Sequence, residues 1–141
     1  MNPAAVEIGS FFTQPPPAVW RALSEPDLIE LWLMSSIGFA AATGTHFIFI
    51  LPTQPTGEIA CEVLAARPAQ QLTHTWFDLR GEPPARWVVD WAIQPEGRGT
   101  RLLLTQTGFD ISDRRQKMAR NAMERGWKTA LLRLREALDE L

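Results

Sequence analysis

Cysteine is nearly missing from this sequence, tyrosine is missing altogether, and histidine occurs only twice. A lone Cys61 cannot close an internal disulfide, and without a CxxC spacing it cannot build a structural zinc site. That cysteine usage fits a reducing compartment, so the cytoplasm is the expected location. No apolar run approaches the roughly 20 residues that a membrane-crossing helix needs. The stretch from Ile37 to Leu51 comes closest, and Thr43, Gly44, Thr45 and His46 break it. Residues Met1 to Ala5 show no basic region leading into an apolar one, so no secretory leader is expected. There are no internal repeats and no low-complexity linker, which leaves a single domain spanning 1–141.

What is present is ordinary for a globular protein, with 45% hydrophobic and 21% charged residues. That balance excludes disordered and collagen-like classes. Charge is unevenly placed. Residues 1–113 hold 6 basic and 12 acidic side chains, whereas residues 114–141 hold 8 basic and 4 acidic ones. The simplest reading of the basic tail is a solvated outer helix face. With an acidic chain and no nucleic-acid motif, no nucleic-acid partner is expected.

Alternation of apolar and polar residues marks six strands. Val6, Ile8, Ser10 and Phe12 share one face of the first. Pro15-Pro16-Pro17 then opens a helix carrying Val19, Trp20 and Leu23. Ser24-Glu25-Pro26 reads as a cap and start for a second helix, which holds Leu28, Ile29, Leu31, Trp32 and Leu33. Five strands follow, at Thr45–Leu51, Glu58–Ala66, Gln71–Asp78, Arg86–Gln94 and Thr100–Gly108. Their connections are short, including turns at Gly81-Glu82-Pro83-Pro84 and Pro95–Gly99, and short connections favour antiparallel neighbours.

From about Ser112 to Leu141 the period changes to that of one long helix. Met123, Trp127, Ala130, Leu131, Leu134, Leu138 and Leu141 recur at three- and four-residue steps, with Arg125, Lys128, Arg133 and Arg135 mostly between them. Gly126 sits in mid-helix, where glycine costs about 1 kcal/mol against alanine. The expectation is that its missing side chain leaves useful space beneath the helix. The order is strand, two helices, five strands, helix. This is an α+β fold, with a curved antiparallel sheet of about six strands packed around the long C-terminal helix.

Several segments in that order carry a resemblance. Pro16-Pro17-Ala18-Val19-Trp20-Arg21-Ala22-Leu23-Ser24-Glu25-Pro26 with Trp32 is similar to the helix pair of homologues of the activator of heat-shock-protein ATPase. Leu72–Trp76, Pro95–Thr100, Gly108-Phe109 and Gly126-Trp127 are similar to that branch's downstream pattern. The chain thus resembles the START-like helix-grip superfamily, which also includes polyketide cyclases, over nearly its whole length. The resemblance implies the helix-grip fold and an interior able to take a small molecule. The turn around Thr43-Gly44-Thr45 and the short Pro52–Gly57 connection depart from the family pattern, leaving the strand count open. Eukaryotic co-chaperones of the family carry a further chaperone-binding domain, for which these 141 residues have no room.

Parity places Phe47, Phe49, Ile59, Cys61, Val63, Leu72, His74, Trp76, Trp87, Val89, Trp91, Leu102 and Leu104 on the inner face. Met123 and Trp127 oppose them from the helix. Trp32, Phe47, Phe49, Cys61, His74, Trp76, Trp87, Trp91, Met123 and Trp127 are therefore the candidate ligand-binding residues, and plain core packing is the alternative reading of the same stripe. His74 needs a partner for its ring: a carbonyl, Gln106, water or a ligand. Cys61 and His74 share a face and fall opposite or diagonal to each other, while His46 has outward parity, which disfavours a metal site. No catalytic residue, metal or cofactor is assigned. Polyketide cyclases use polar cavity groups, often arginine or tyrosine; here tyrosine is absent and Arg86 and Arg101 alternate outward. The leading reading is binding of a small hydrophobic or aromatic molecule by a monomer or homodimer. The alternatives are a cyclase- or hydrolase-type enzyme using His74 or Asp78, and a stress-related interaction module.

Overall fold

A computed structural model describes residues 2–80 and 85–141. The turn expected at Gly81–Pro84 lies outside the described residues. The elements are β1 (Val6–Phe12), α1 (Pro16–Ser24), α2 (Pro26–Trp32), β2 (Ser35–Ile37), β3 (His46–Leu51), β4 (Gly57–Arg67), β5 (Gln71–Asp78), β6 (Ala85–Glu96), β7 (Gly99–Thr107) and α3 (Arg114–Asp139). The six expected strands are present, and β2 is a seventh. Three residues are too few to show alternation, so β2 leaves no periodic trace; its pairing with β3, Ser36 opposite Phe49, creates it.

All strands join one antiparallel sheet in the order β1-β7-β6-β5-β4-β3-β2. Each hairpin from β2 to β7 lays the next strand beside the last. β1 then pairs with β7, with Val6 opposite Gln106 and Phe12 opposite Thr100. At the β6–β7 turn, Glu96 stands opposite Gly99. Gly99 has no room for a side chain, since an added Cβ would lie 2.3 Å from the Phe12 carbonyl oxygen. The β4–β5 turn bends through Ala69 at φ 61°.

The helices pack on the inner face of the sheet. Proline stands in the first turn of both α1 and α2. Ser24 is not the cap of α2: that position is Glu25, and Ser24 Oγ instead donates to Trp20 O at 2.7 Å within α1. α3 is capped by Asp113, whose side chain accepts from the Arg115 amide. It buries Trp127, Ala130, Leu131, Leu134 and Leu138. Burying such large side chains is worth roughly 1.5–3 kcal/mol each, which fixes the helix on the sheet. Met123 is half-buried and packs on the same core. Leu141 lies beyond the helix end and is exposed, so the stripe stops at Leu138.

Candidate functional site

Strand parity decides which side chains meet inside. Phe47 and Phe49 from β3, Cys61 from β4, His74 and Trp76 from β5, and Trp87 and Trp91 from β6 are all buried, as are Trp32 of α2 and Trp127 of α3. Edge-to-face ring contacts link most of them. Phe47 meets Phe49 at 5.2 Å, Trp76 meets Trp127 at 5.2 Å, Trp91 meets Trp127 at 5.4 Å, and Trp32 meets Trp91 at 5.6 Å. Such pairs add about 0.5–1.5 kcal/mol each beyond the area they bury. Trp87 stands apart from this chain, stacked at 4.7 Å on Phe109 at the β7–α3 junction.

Polar groups are few here, and almost all are paired. His74 Nδ1 lies 3.0 Å from the Thr75 carbonyl oxygen, and Trp91 Nε1 donates to His74 Nε2 at 3.3 Å. A carbonyl accepts and an indole N–H only donates, so the ring is the neutral tautomer with its proton on Nδ1. Burial pushes its pKa down to about 4, against smaller upward pulls from the Thr75 hydrogen bond and the Asp90 charge. Two strands away, Trp127 Nε1 donates to Gln106 Oε1 at 2.6 Å. Gln106 is fully buried, and its Nε2 meets no acceptor among the described residues. Gln106 was therefore not His74's partner; the two flank Val89 in one row across the sheet.

A bulge settles the relation of Cys61 to His74. The β4–β5 register shifts between Val63 and Ala65, and it is Val63 that stands opposite His74. Cys61 is thus diagonal to His74, its Sγ facing the Ile59 carbonyl oxygen at 3.8 Å. Burial raises its thiol to about 12, which removes the thiolate a nucleophile needs. Asp78 is turned to Arg80, which it meets at 2.7 Å, and that hydrogen bond lowers its pKa. His46 is exposed, so His46, Cys61 and His74 do not converge. Among the described residues no group of three or more His, Cys, Asp or Glu side chains could hold a metal ion.

The space expected beneath Gly126 is not there. Gly126 is exposed, and a Cβ added to it would meet nothing within 4 Å. Its missing side chain faces solvent, one position before Trp127 turns inward. The void against the aromatic layer lies under α1 and α2 instead of under α3. It is lined by Leu23, Ile29, Trp32, Leu33, Phe39, Phe49, Leu72, His74 and Trp91, and measures about 10 Å³, room for about one water. Of the candidate residues, Trp32, Phe49, His74 and Trp91 reach it. Phe47, Cys61, Trp76, Trp87, Met123 and Trp127 do not line it and lie elsewhere in the same core. Phe39 is the wall residue that sequence reasoning missed. It lies outside any strand, where periodicity carries no signal, and its ring meets Phe47 at 4.8 Å.

A seven-stranded sheet gripping one long helix over an aromatic interior defines a START-like helix-grip protein. The chain belongs to the family described as activator of Hsp90 ATPase homolog 1-like protein, which matches residues 13–139. It is similar to the crystal structure of MLL2253 from Mesorhizobium loti, with 33% identity, a TM-score of 0.87, and 96% of this chain and 97% of that one covered. BH1534 from Bacillus halodurans is 25% identical, with a TM-score of 0.77 over 95% and 96% of the two chains. DynU16, a protein of the dynemicin biosynthetic locus, shares the fold at 19% identity and a TM-score of 0.81. Alignment with DynU16 covers 96% of this chain and 47% of that one. No curated protein matches the chain. Among the described residues no helix is long and apolar enough to cross a membrane.

Proposed function

We propose that this protein binds a small, flat, hydrophobic or aromatic molecule between the sheet and its helices. The observation that carries the reading is the void against Trp32, Phe49, His74 and Trp91, set into a continuous layer of aromatic rings. Aromatic walls with few polar groups suit a flat apolar ligand. A volume of about 10 Å³ holds no such molecule, so binding requires the wall to open. The short helix α2 and Phe39, which hangs on the chain between β2 and β3, form that wall and are the parts that would have to shift. The remaining candidate residues, Phe47, Cys61, Trp76, Trp87, Met123 and Trp127, shape the space into which a ligand would settle. The Gln106 amide has a donor to spare for a ligand oxygen.

Nothing in the site favours catalysis over binding. Both ring nitrogens of His74 are engaged, Cys61 is held as a thiol, and Asp78 is paired with Arg80. We place the protein in the cytoplasm, acting without cofactor. The test is a panel of neutral aromatic compounds, from indole to anthracene-sized rings, titrated against tryptophan fluorescence and melting temperature. A saturable quench with a raised melting temperature is expected for at least one compound, because a ligand that binds only the folded state stabilises it. A panel in which none does either would end the reading.

A further inference from the structure

The β1 edge of the sheet is closed at two points and open between them. Arg120 donates to the Ala5 carbonyl oxygen through Nη2 at 2.9 Å, and Arg135 donates to the Phe11 carbonyl oxygen through Nη1 at 2.7 Å. Both arginines belong to α3, so the odd-numbered residues of β1 turn their main chain away from β7. In an antiparallel ladder, alternate residues send both N–H and C=O to the same side. Glu7 and Gly9 therefore present both groups outward, and among the described residues no hydrogen bond outside the ladder reaches their main-chain groups. From Arg120 to Arg135, α3 rises roughly 22 Å. From Ala5 to Phe11, the strand advances roughly 20 Å. Helix and strand thus run side by side, with Lys128 level with the open stretch.

Beside that stretch lies a groove of about 250 Å³, lined by Ile8, Ser10, Lys128, Leu131, Leu132 and Arg135. Its floor is apolar, and Leu132 is 63% exposed there. Its two charged residues are both cations. Lys128 lies 3.9 Å from Glu124, too far for a close pair, and Arg135 keeps Nε unbonded.

We propose that β1 accepts an acidic, extended peptide segment of another protein as an eighth strand. Its main chain would take the four free groups of Glu7 and Gly9, in the manner of strand addition to a sheet edge. One apolar side chain would enter the groove, flanked on the same face by carboxylates directed at Lys128 and Arg135. The spacing agrees. The two cations stand roughly 10 Å apart along α3. Side chains four residues apart on a strand stand roughly 13 Å apart. A second copy of this chain does not fit, because a two-fold interface sets each patch against itself and Lys128 and Arg135 would meet like charges. The opposite edge, β2, is only three residues long and offers no comparable run.

The test uses the full-length, ¹⁵N-labelled protein. The probe is a capped seven-residue peptide with valine at its centre, glutamate two residues to either side, and threonine elsewhere. Its control has lysine in place of both glutamates. The acidic peptide is expected to shift the Glu7 and Gly9 amide resonances and to slow their hydrogen exchange. It should bind at least tenfold tighter than the control, with the margin shrinking as salt is raised. Lys128→Glu, which sets one anion beside the remaining Arg135, should erase the preference. Gly9→Pro, which loses only an outward N–H, should abolish binding by both peptides while leaving the melting temperature near that of the unaltered protein. Amides of Glu7 and Gly9 that ignore millimolar acidic peptide, or equal affinity for both peptides, would overturn the proposal. So would a dimer whose formation protects those amides, or a response to phosphatidylglycerol vesicles without one to peptide.

Discussion

At the scale of single residues, His74 makes the sharpest statement. Folded, it titrates near 4; unfolded, near 6.5. Between those values the unfolded chain takes up a proton that the folded chain refuses. Stability is therefore complete above about pH 6.5 and drains as pH falls toward 4. The total loss is about 3 kcal/mol at most. Urea midpoints at pH 7.5 and 4.5 should differ more for the unaltered protein than for His74→Leu, and equal differences would show that the ring is not buried and neutral. Cys61 offers a second check. With its thiol pushed up to about 12 and hidden, it should react with a disulfide reagent only on denaturation. Trp127→Phe would strand the Gln106 carbonyl oxygen, at about 1–3 kcal/mol, with a loss of Tm as the measure. Parity alone placed His74 inside, with Gln106 as one candidate partner. It could not pair them, because hydrogen-bond partners depend on the row a residue occupies, and the bulge after Val63 sets that row for His74.

Elements show where sequence reasoning succeeds and where it stops. Strands β1 and β3–β7 alternate cleanly enough to be read within a few residues of their ends. β2 escapes because pairing with β3 creates it, and Phe39 escapes because it belongs to no element. Gly126 was misread for a different reason. A helical stripe tells which side is apolar, but position 126 lies just outside the buried arc that Trp127 begins. The consequence is measurable. Gly126→Ala places its methyl in open space on a helix, so it should stabilise the protein by about 0.5–1 kcal/mol in chemical denaturation. Gly99→Ala should do the reverse. Its Cβ would lie 2.3 Å from the Phe12 carbonyl oxygen, a forced shift of about 1–3 kcal/mol that loosens the β1–β7 seam.

For the whole molecule, one interior serves every element except the three-residue β2. The sheet, α1, α2 and α3 share a single core cluster in which Val6 of β1 and Leu138 of α3 both take part. Loss of helix signal and the change in tryptophan fluorescence should therefore coincide in one denaturant transition. Separate midpoints would mean that α3 can leave the sheet while the aromatic layer stays intact. Such a step would also reopen the question of how a ligand enters. The site was less legible than the fold because strand parity fixes which side chains face inward. How much room they leave depends on rotamers and on loop residues that carry no periodicity.

The pairing of Val6 with Gln106 has a consequence during synthesis. β1 leaves the ribosome before every other strand of its sheet and belongs beside the last of them, so it waits through about a hundred residues of translation without its neighbour. The hairpins between them form from local contacts, whereas the closing pair must bridge a long loop, a slow event in chain folding. Until then the growing sheet has a bare margin along β7, and the apolar face that α3 will cover stays open to water. A chaperone acting on this protein would find its substrate in that interval.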